Sequence, residues 1–320
     1  MSELPHDERM TRRHWPSLSY ADWQPTGANS HMWAQIVGKF RLALAPWLNH
    51  AWHATLYADA RGFTTGLVPG HRGDHQVRFD VIDHRLVVES DNGDTHGFPL
   101  EAMSVAEFWE RFTAIIRTLE PDVRLHTRPN ELPDAVPFAE QTADGTYDPE
   151  IARDFWQATL RIDRVFRRFR TGFLGKSSPS HLFWGSFDLA VTRFSGRPAP
   201  RHTGGIPNLP DAVTREAYSH EVSSAGFWPG GGGVEEAAFY AYAYPTPEGY
   251  KDAVEVGGAY WHDDLGEYVL PYAVVQASPD PEATLMDFLQ RTYAAAADLA
   301  HWDRAALDCP IGTPGVPREV

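Results

Sequence analysis

Apolar residues recur at helical spacing in four stretches of the chain. Over residues 28–45, Trp33, Ile36, Val37, Phe40 and Leu44 fall at intervals of three and four, and Pro46 ends the run. Ser104 and Glu107 form a capping box ahead of a second helix with the stripe Val105, Phe108, Phe112, Ile115, Ile116 and Leu119. Asp148-Pro149-Glu150 opens a third, running to about Phe173, with Phe155, Ile162, Phe166, Phe169 and Phe173 on its apolar side. Asp280-Pro281-Glu282 repeats that start for a helix over 281–300, with Leu285, Phe288, Leu289, Tyr293 and Leu299 inward. Between the helices, short extended runs bounded by turn residues predict strands at 52–59, 62–68, 75–82 and 85–90, then at 181–194, 215–227, 235–244 and 267–277.

The order helix, strands, helix therefore occurs twice, which predicts an α+β protein of two similar halves, 28–125 and 149–304. A lead-in (1–27), a proline-rich linker (126–148) and a tail (305–320) flank them. Local echoes favour an internal duplication. Trp33-Ala-Gln and Trp156-Gln each open a long helix, and His53 and His181 each begin the next strand. Chance recurrence of helix and meander accounts for the same order. Joined edge to edge or as two layers, such halves leave a concave surface at the join, where pockets tend to form.

Composition narrows the function. With 320 residues, 42 % of them hydrophobic and 22 % charged, the chain has the balance of a globular protein. A formal net charge of −15 argues against nucleic acid as a partner. The basic residues are 25 Arg and only 3 Lys (Lys39, Lys176, Lys251), which base composition of the genome explains as well as anion recognition does. The acidic surplus concentrates late in the chain: Glu248 to Asp303 holds 11 acidic residues and 2 basic ones. A lone cysteine, Cys309, permits no intramolecular disulfide. The charged stretch Met1 to Trp15 does not read as a signal peptide, and no run is long and apolar enough to span a membrane. The expected location is the cytoplasm.

Candidate chemistry is densest between His181 and Pro198. Read as one strand, the segment puts His181, Phe183 and Arg193 on one face and Trp184, Asp188 and Thr192 on the other, unless Gly185 makes a bulge. Asp188 and Arg193 then need partners, because a buried unpaired charge is costly. A buried salt bridge between Asp188 and Arg193 or Arg197 is the plain structural expectation, and an anion clamp by the two arginines is the functional one. A second cluster runs from Tyr218 through His220 and Glu221 to Phe227, Trp228 and the glycines Gly230–Gly233, read as a flexible lid or wide turn. A third, Trp261-His262-Asp263-Asp264, suits a turn better than a cation site. Arg153, Arg161, Arg164 and Arg168 share a helix face that reads as solvated rather than as a partner surface. Nucleophile-elbow, phosphate-loop and paired-cysteine signatures do not occur, so no cofactor is specified.

These motifs resemble an uncharacterised bacterial family, domain of unknown function 5996. The resemblance is carried by His181, Phe183-Trp184-Gly185, Asp188, Thr192-Arg193-Phe194-Ser195-Gly196-Arg197, Ser219-His220-Glu221 and Gly226-Phe227-Trp228-Pro229-Gly230, over about residues 14–304. It implies one integral unit and no particular activity.

The leading expectation is a small-molecule-binding protein or enzyme with a pocket between the halves for an anionic organic ligand. His220, His181, Asp188 and Glu221 are the candidate catalytic residues; Arg193, Arg197, Trp184, Tyr218, Phe227 and Trp228 are the candidate ligand contacts. A metal held by His181, His220 and His262 is a weaker expectation, since adjacent His and Glu on a strand cannot face one ion. The alternative is a scaffold or partner-binding protein whose motif residues serve packing, in which case they do not converge on one cavity.

Overall fold

The computed structural model describes residues 15–231 and 234–318; residues 1–14, part of the glycine run (Gly232 and Gly233) and the last two residues of the tail lie outside it. It is a mixed α/β protein with two antiparallel sheets. The long helices are α1 (Tyr20–Leu44), α2 (Val105–Leu119), α3 (Pro149–Arg170) and, below, α6 (Pro281–Leu299). The first sheet is a meander of β1 (Tyr57–Ala58), β2 (Gly62–Val68), β3 (His75–Asp80), β4 (Arg85–Ser90) and β5 (Thr95–Pro99), in that order. The second comprises β6 (His181–Phe183), β7 (Asp188–Pro198), β8 (His220–Trp228), β9 (Ala238–Tyr244), β10 (Tyr260–His262) and β11 (Glu267–Pro271), ordered β10-β11-β9-β8-β7-β6. Three short helices complete it: α4 (Asp211–Ala217), α5 (Tyr272–Gln276) and α7 (Arg304–Leu307). No helix among the described residues is long and apolar enough to cross a membrane.

The capping signals act as expected. Ser104 accepts the Glu107 N–H, Asp148 accepts from Glu150 and Ile151, and Asp280 accepts from Ala283, so each helix starts with an otherwise orphaned donor satisfied. α1 begins at Tyr20, earlier than the apolar spacing suggests. Buried Trp23 lies against Gly27, where a Cβ would stand 2.4 Å from the indole, and this early turn packs despite Pro25 within it. The expected strand at 52–59 is instead a 3-10 turn over Asn49–Ala54, with His50 and Ala51 left-handed, followed by the short β1. The first part of the expected strand 215–227 is α4 and its last turn, and that of 267–277 ends in α5.

The two sheets meet edge to edge at one antiparallel bridge. Leu56 and Leu182 exchange N–H···O bonds of 2.9 and 2.8 Å. Around that seam runs one continuous apolar core from Trp15 to Trp302. The sheets differ in strand number and order, and nothing in them shows one half repeating the other. The linker crosses the surface, anchored by fully buried Phe138, which stacks on Trp109 of α2 at 5.3 Å.

Arg193 occupies the helix-facing side of β7 and is 1 % exposed. Its guanidinium lies 3.5 Å from the Phe169 ring centroid and 4.3 Å from that of Tyr293, and it donates to the Phe169 carbonyl. One side chain thus ties the sheet to the end of α3 and to α6. Arg193→Ala is expected to cost about 2–4 kcal/mol through a cavity and the lost ring contacts, read as a lower urea midpoint. Arg193→Met, which refills most of the volume, is expected to recover about half; equal losses in both variants would disprove a packing role.

Candidate functional site

Strand alternation sorts the second sheet into two faces. On β8, Phe227 and Ala225 point toward the helices, and Phe227 packs among Phe155, Phe239 and Tyr272. The opposite face carries Asp188, Thr192 and Phe194 from β7, Val222, Ser224 and Trp228 from β8, Tyr240 and Tyr242 from β9, and Glu267 from β11. All of these line a cavity of about 830 Å³. Its roof comes from Lys39 and Leu42 of α1, the turn at 49–54, the linker at Asn130 and Glu131, and the segment leading into α4.

The segment 181–194 is not one strand but a hairpin. Residues 184–187 form its turn, with Phe187 at φ +60°, and Phe183 pairs with Asp188, His181 with Ala190. Paired residues share a face, so the hairpin puts His181 and Asp188 on the same side, which a continuous strand forbids. It also presents the Gly185 carbonyl to His31 Nε2 at 2.9 Å and to the donating Gln35 Nε2 at 3.2 Å.

Gln35 clamps the linker as well. Its Nε2 donates to the Asn130 carbonyl at 2.8 Å and its Oε1 accepts the Asn130 N–H at 3.0 Å. Glu131 follows at φ +63°, a left-handed conformation rare outside glycine. Its carboxylate lies against Gly185, where a Cβ would sit 1.8 Å from Glu131 Oε1. A second close approach fixes Tyr240: a Cβ at Gly226 would stand 2.3 Å from its ring, which therefore lies flat on the strand. From there the Tyr240 hydroxyl donates to Asp188, as does the Ser186 hydroxyl. The Tyr218 and Tyr242 hydroxyls meet at 2.8 Å, and those of Thr192 and Ser224 at 2.8 Å.

Three carboxylates thus face one cavity. Burial raises the pKa of Asp188. Burial and then the charge of Asp188 push Glu131 up to about 7, with Lys39 opposing. Burial and Asp188 likewise push Glu267 up to about 7. Among the described residues neither Glu131 nor Glu267 has a hydrogen-bond or ion-pair partner. Burial lowers Lys39 to about 8, with the charge of Glu131 opposing; its ammonium lies 4.8 Å from the Trp184 ring centroid and donates to Asn130 Oδ1. At the other end, Lys176 Nζ is 2.9 Å from His50 Nε2, while His50 Nδ1 donates to the Ala217 carbonyl at 2.5 Å.

Of the residues singled out from sequence, Asp188, Trp184, Tyr218 and Trp228 line the cavity. The expected salt bridge of Asp188 does not form. Arg193 points to the helices, and Arg197 pairs with Glu221 at 2.7 Å while donating to the Ala300 carbonyl at the end of α6. Glu221 also accepts from Ser195, so this trio braces a helix end. Phe227 belongs to the core. His220 stands at the first residue of β8, its Nδ1 3.0 Å from Ser219 Oγ, and is not in the cavity wall. His181 is fully buried against Phe183, and burial lowers its pKa to about 3. The three-histidine metal site is corrected by topology. His181 and His262 lie on opposite edges of the six-stranded sheet, roughly 24 Å apart at ~4.8 Å per strand. Among the described residues no group of three His, Cys, Asp or Glu is placed to hold an ion. The Asp263-Asp264 cluster is the hairpin turn between β10 and β11.

Sequence reasoning missed Lys39, Glu131, Tyr240, Tyr242 and Glu267. The alternation Tyr240-Ala-Tyr242-Ala-Tyr244 is a visible one-face signal, and Lys39 interrupts an otherwise apolar helix stripe. Glu131 sits in an irregular segment with no periodicity to betray it.

Raised carboxylate pKa values make a linkage prediction. Glu131 and Glu267 hold protons to about 7 when folded against an ordinary 4.5. The folded state therefore binds more protons between those values, and stability falls as pH rises through them. The double variant Glu131→Gln with Glu267→Gln is expected to exceed the parent by about 2 kcal/mol at pH 8 and to match it near pH 4, below the ordinary 4.5. Urea midpoints at the two pH values measure this, and the same difference at both would refute it.

One family model, described as a family of unknown function (DUF5996), matches residues 15–309. No curated protein and no solved structure matches the chain.

Proposed function

Because the chain belongs to that family of unknown function, its activity has to be read from the cavity, and we propose that the cavity binds a small organic cation. The observation that carries the proposal is the pairing of unpartnered Glu131 and Glu267 with Asp188 inside a wall of aromatic rings. Half-buried carboxylates without partners, beside the buried Asp188, are disfavoured as anions. A ligand ammonium or guanidinium supplies the missing charge and gains from the faces of Trp184, Trp228, Tyr240 and Tyr242. The volume, about 830 Å³, is that of sites for drug-sized molecules. The expectation of an anionic ligand rested on Arg193 and Arg197, which stand outside the cavity wall.

Exposed apolar residues at the wall, Trp47 at 54 % and Leu265 at 43 %, suit a ligand with an apolar body behind its charged head. Asp188, fixed by Ser186 and Tyr240, orients the head, while Glu267 loses its proton as it enters.

Titration calorimetry with choline, 1,5-diaminopentane and their carboxylate-bearing counterparts tests this reading. The cations are expected to bind about tenfold more tightly at pH 8 than at pH 6, with proton release near 7, and Glu267→Gln is expected to remove most of that gain. Binding of the carboxylate compounds alone, or pH-independent binding of neutral sugars, would overturn it.

A further inference from the structure

Lys39 is 1 % exposed, and its ammonium reaches the cavity from the middle of α1. A structural lysine in such a place ordinarily forms a close salt bridge. Among the described residues this one has none: its partners are Asn130 Oδ1 and the Trp184 face. The neutral amide of Asn130 accepts one N–H without holding the positive charge as a carboxylate would. Gly38 lets Trp184 lie against the helix, where a Cβ would come within 2.4 Å of the indole, and so sets the ring beside Lys39. The linker clamp from Gln35 positions Asn130 and, next to it, Glu131.

We propose that Lys39 is a nucleophilic amine that forms an imine with an aldehyde or ketone bound in this cavity, with Glu131 as the acid. The proposal rests on the cavity being the ligand site and narrows its substrate class to carbonyl compounds carrying a cationic group. The Lys39 nitrogen lone pair attacks the carbonyl carbon, a C–N bond forms, and the C=O π pair moves to oxygen. A proton passes from nitrogen to that oxygen, giving a carbinolamine. Glu131 then donates its proton to the hydroxyl, which leaves as water as the nitrogen pair closes the C=N bond. The products are an iminium on Lys39, one water and the Glu131 carboxylate, which stays as counter-ion. No oxidant or reductant enters. Burial supplies both protonation states near neutrality, holding Lys39 down to about 8 and Glu131 up to about 7.

The chain has only three lysines, so it carries its own controls. The full-length protein is incubated with propanal and sodium cyanoborohydride at pH 7, and the alkylated positions are timed by peptide mass spectrometry. Lys39 is expected to be labelled about tenfold faster than exposed Lys251, although it is the most buried of the three. Choline, if it occupies the cavity, is expected to slow labelling at Lys39 alone. Glu131→Gln is expected to slow it by about a hundredfold at pH 7, where about half of Glu131 holds its proton. Labelling of Lys251 with Lys39 untouched overturns the proposal and leaves Lys39 a structural cation. Choline binding without labelling of Lys39 refutes the imine alone; labelling of Lys39 without choline binding refutes the cation reading alone.

Discussion

The second sheet is packed tightly by helices on one face and only patchily covered on the other, and that constraint organises the rest of the molecule. Alternation along β7, β8 and β9 sends Leu189, Val191, Ala225, Phe227, Phe239 and Ala241 into the core under α3, α5 and α6. The same alternation turns Asp188, Thr192, Ser224, Tyr240 and Tyr242 the other way. A face so polar and aromatic cannot be closed by an apolar helix without orphaning its hydroxyls and carboxylates. It is roofed instead by an irregular collection of pieces from α1, the 49–54 turn, the linker and the α4 approach, and irregular roofing leaves space. The cavity follows from a sheet with one face for packing and one for polar groups.

Holding irregular pieces in place demands specific hydrogen bonds where regular ladders are missing. Gln35, itself fully buried, ties both backbone groups of Asn130 and the turn carbonyl of Gly185. Asn130 and Asn208 then cross-link the two roof segments through side chain to carbonyl bonds: Asn130 to Asn208, and Asn208 to Leu132 at 2.6 Å. These bonds hold Glu131 in a strained left-handed conformation above the sheet. Its carboxyl is held at conformational cost where burial disfavours its charge.

Much of the framework was legible in the chain. The three capped long helices, α2, α3 and α6, start where their caps put them, because a Ser or Asp cap and a 3.6-residue apolar repeat act within a few residues of themselves. The uncapped α1 starts at Tyr20, ahead of the 28–45 stretch that carries its stripe. Most strands were legible for the same reason. Failures lie where local signals compete. Gly185 and Phe187 turn a run of strand-forming residues into a hairpin, and the resulting reversal changes which side chains share a face. Arg193 reads from sequence as half of a buried salt bridge with Asp188 or as part of an anion clamp; three aromatic rings, Phe169, Phe173 and Tyr293, claim it in the fold.

What the sequence determined by itself is the alternation within each regular strand, such as Val222, Ser224 and Trp228 on one face of β8 and Tyr240 and Tyr242 on one face of β9. Which face meets helices and which meets a cavity is decided by long-range packing, since both faces of β7 and β8 carry large side chains. Only tertiary structure brings Lys39, Glu131 and Glu267 to Asp188. They come from a helix, a linker and an edge-side strand far apart along the chain, and periodicity along one element carries no information about its distance from another.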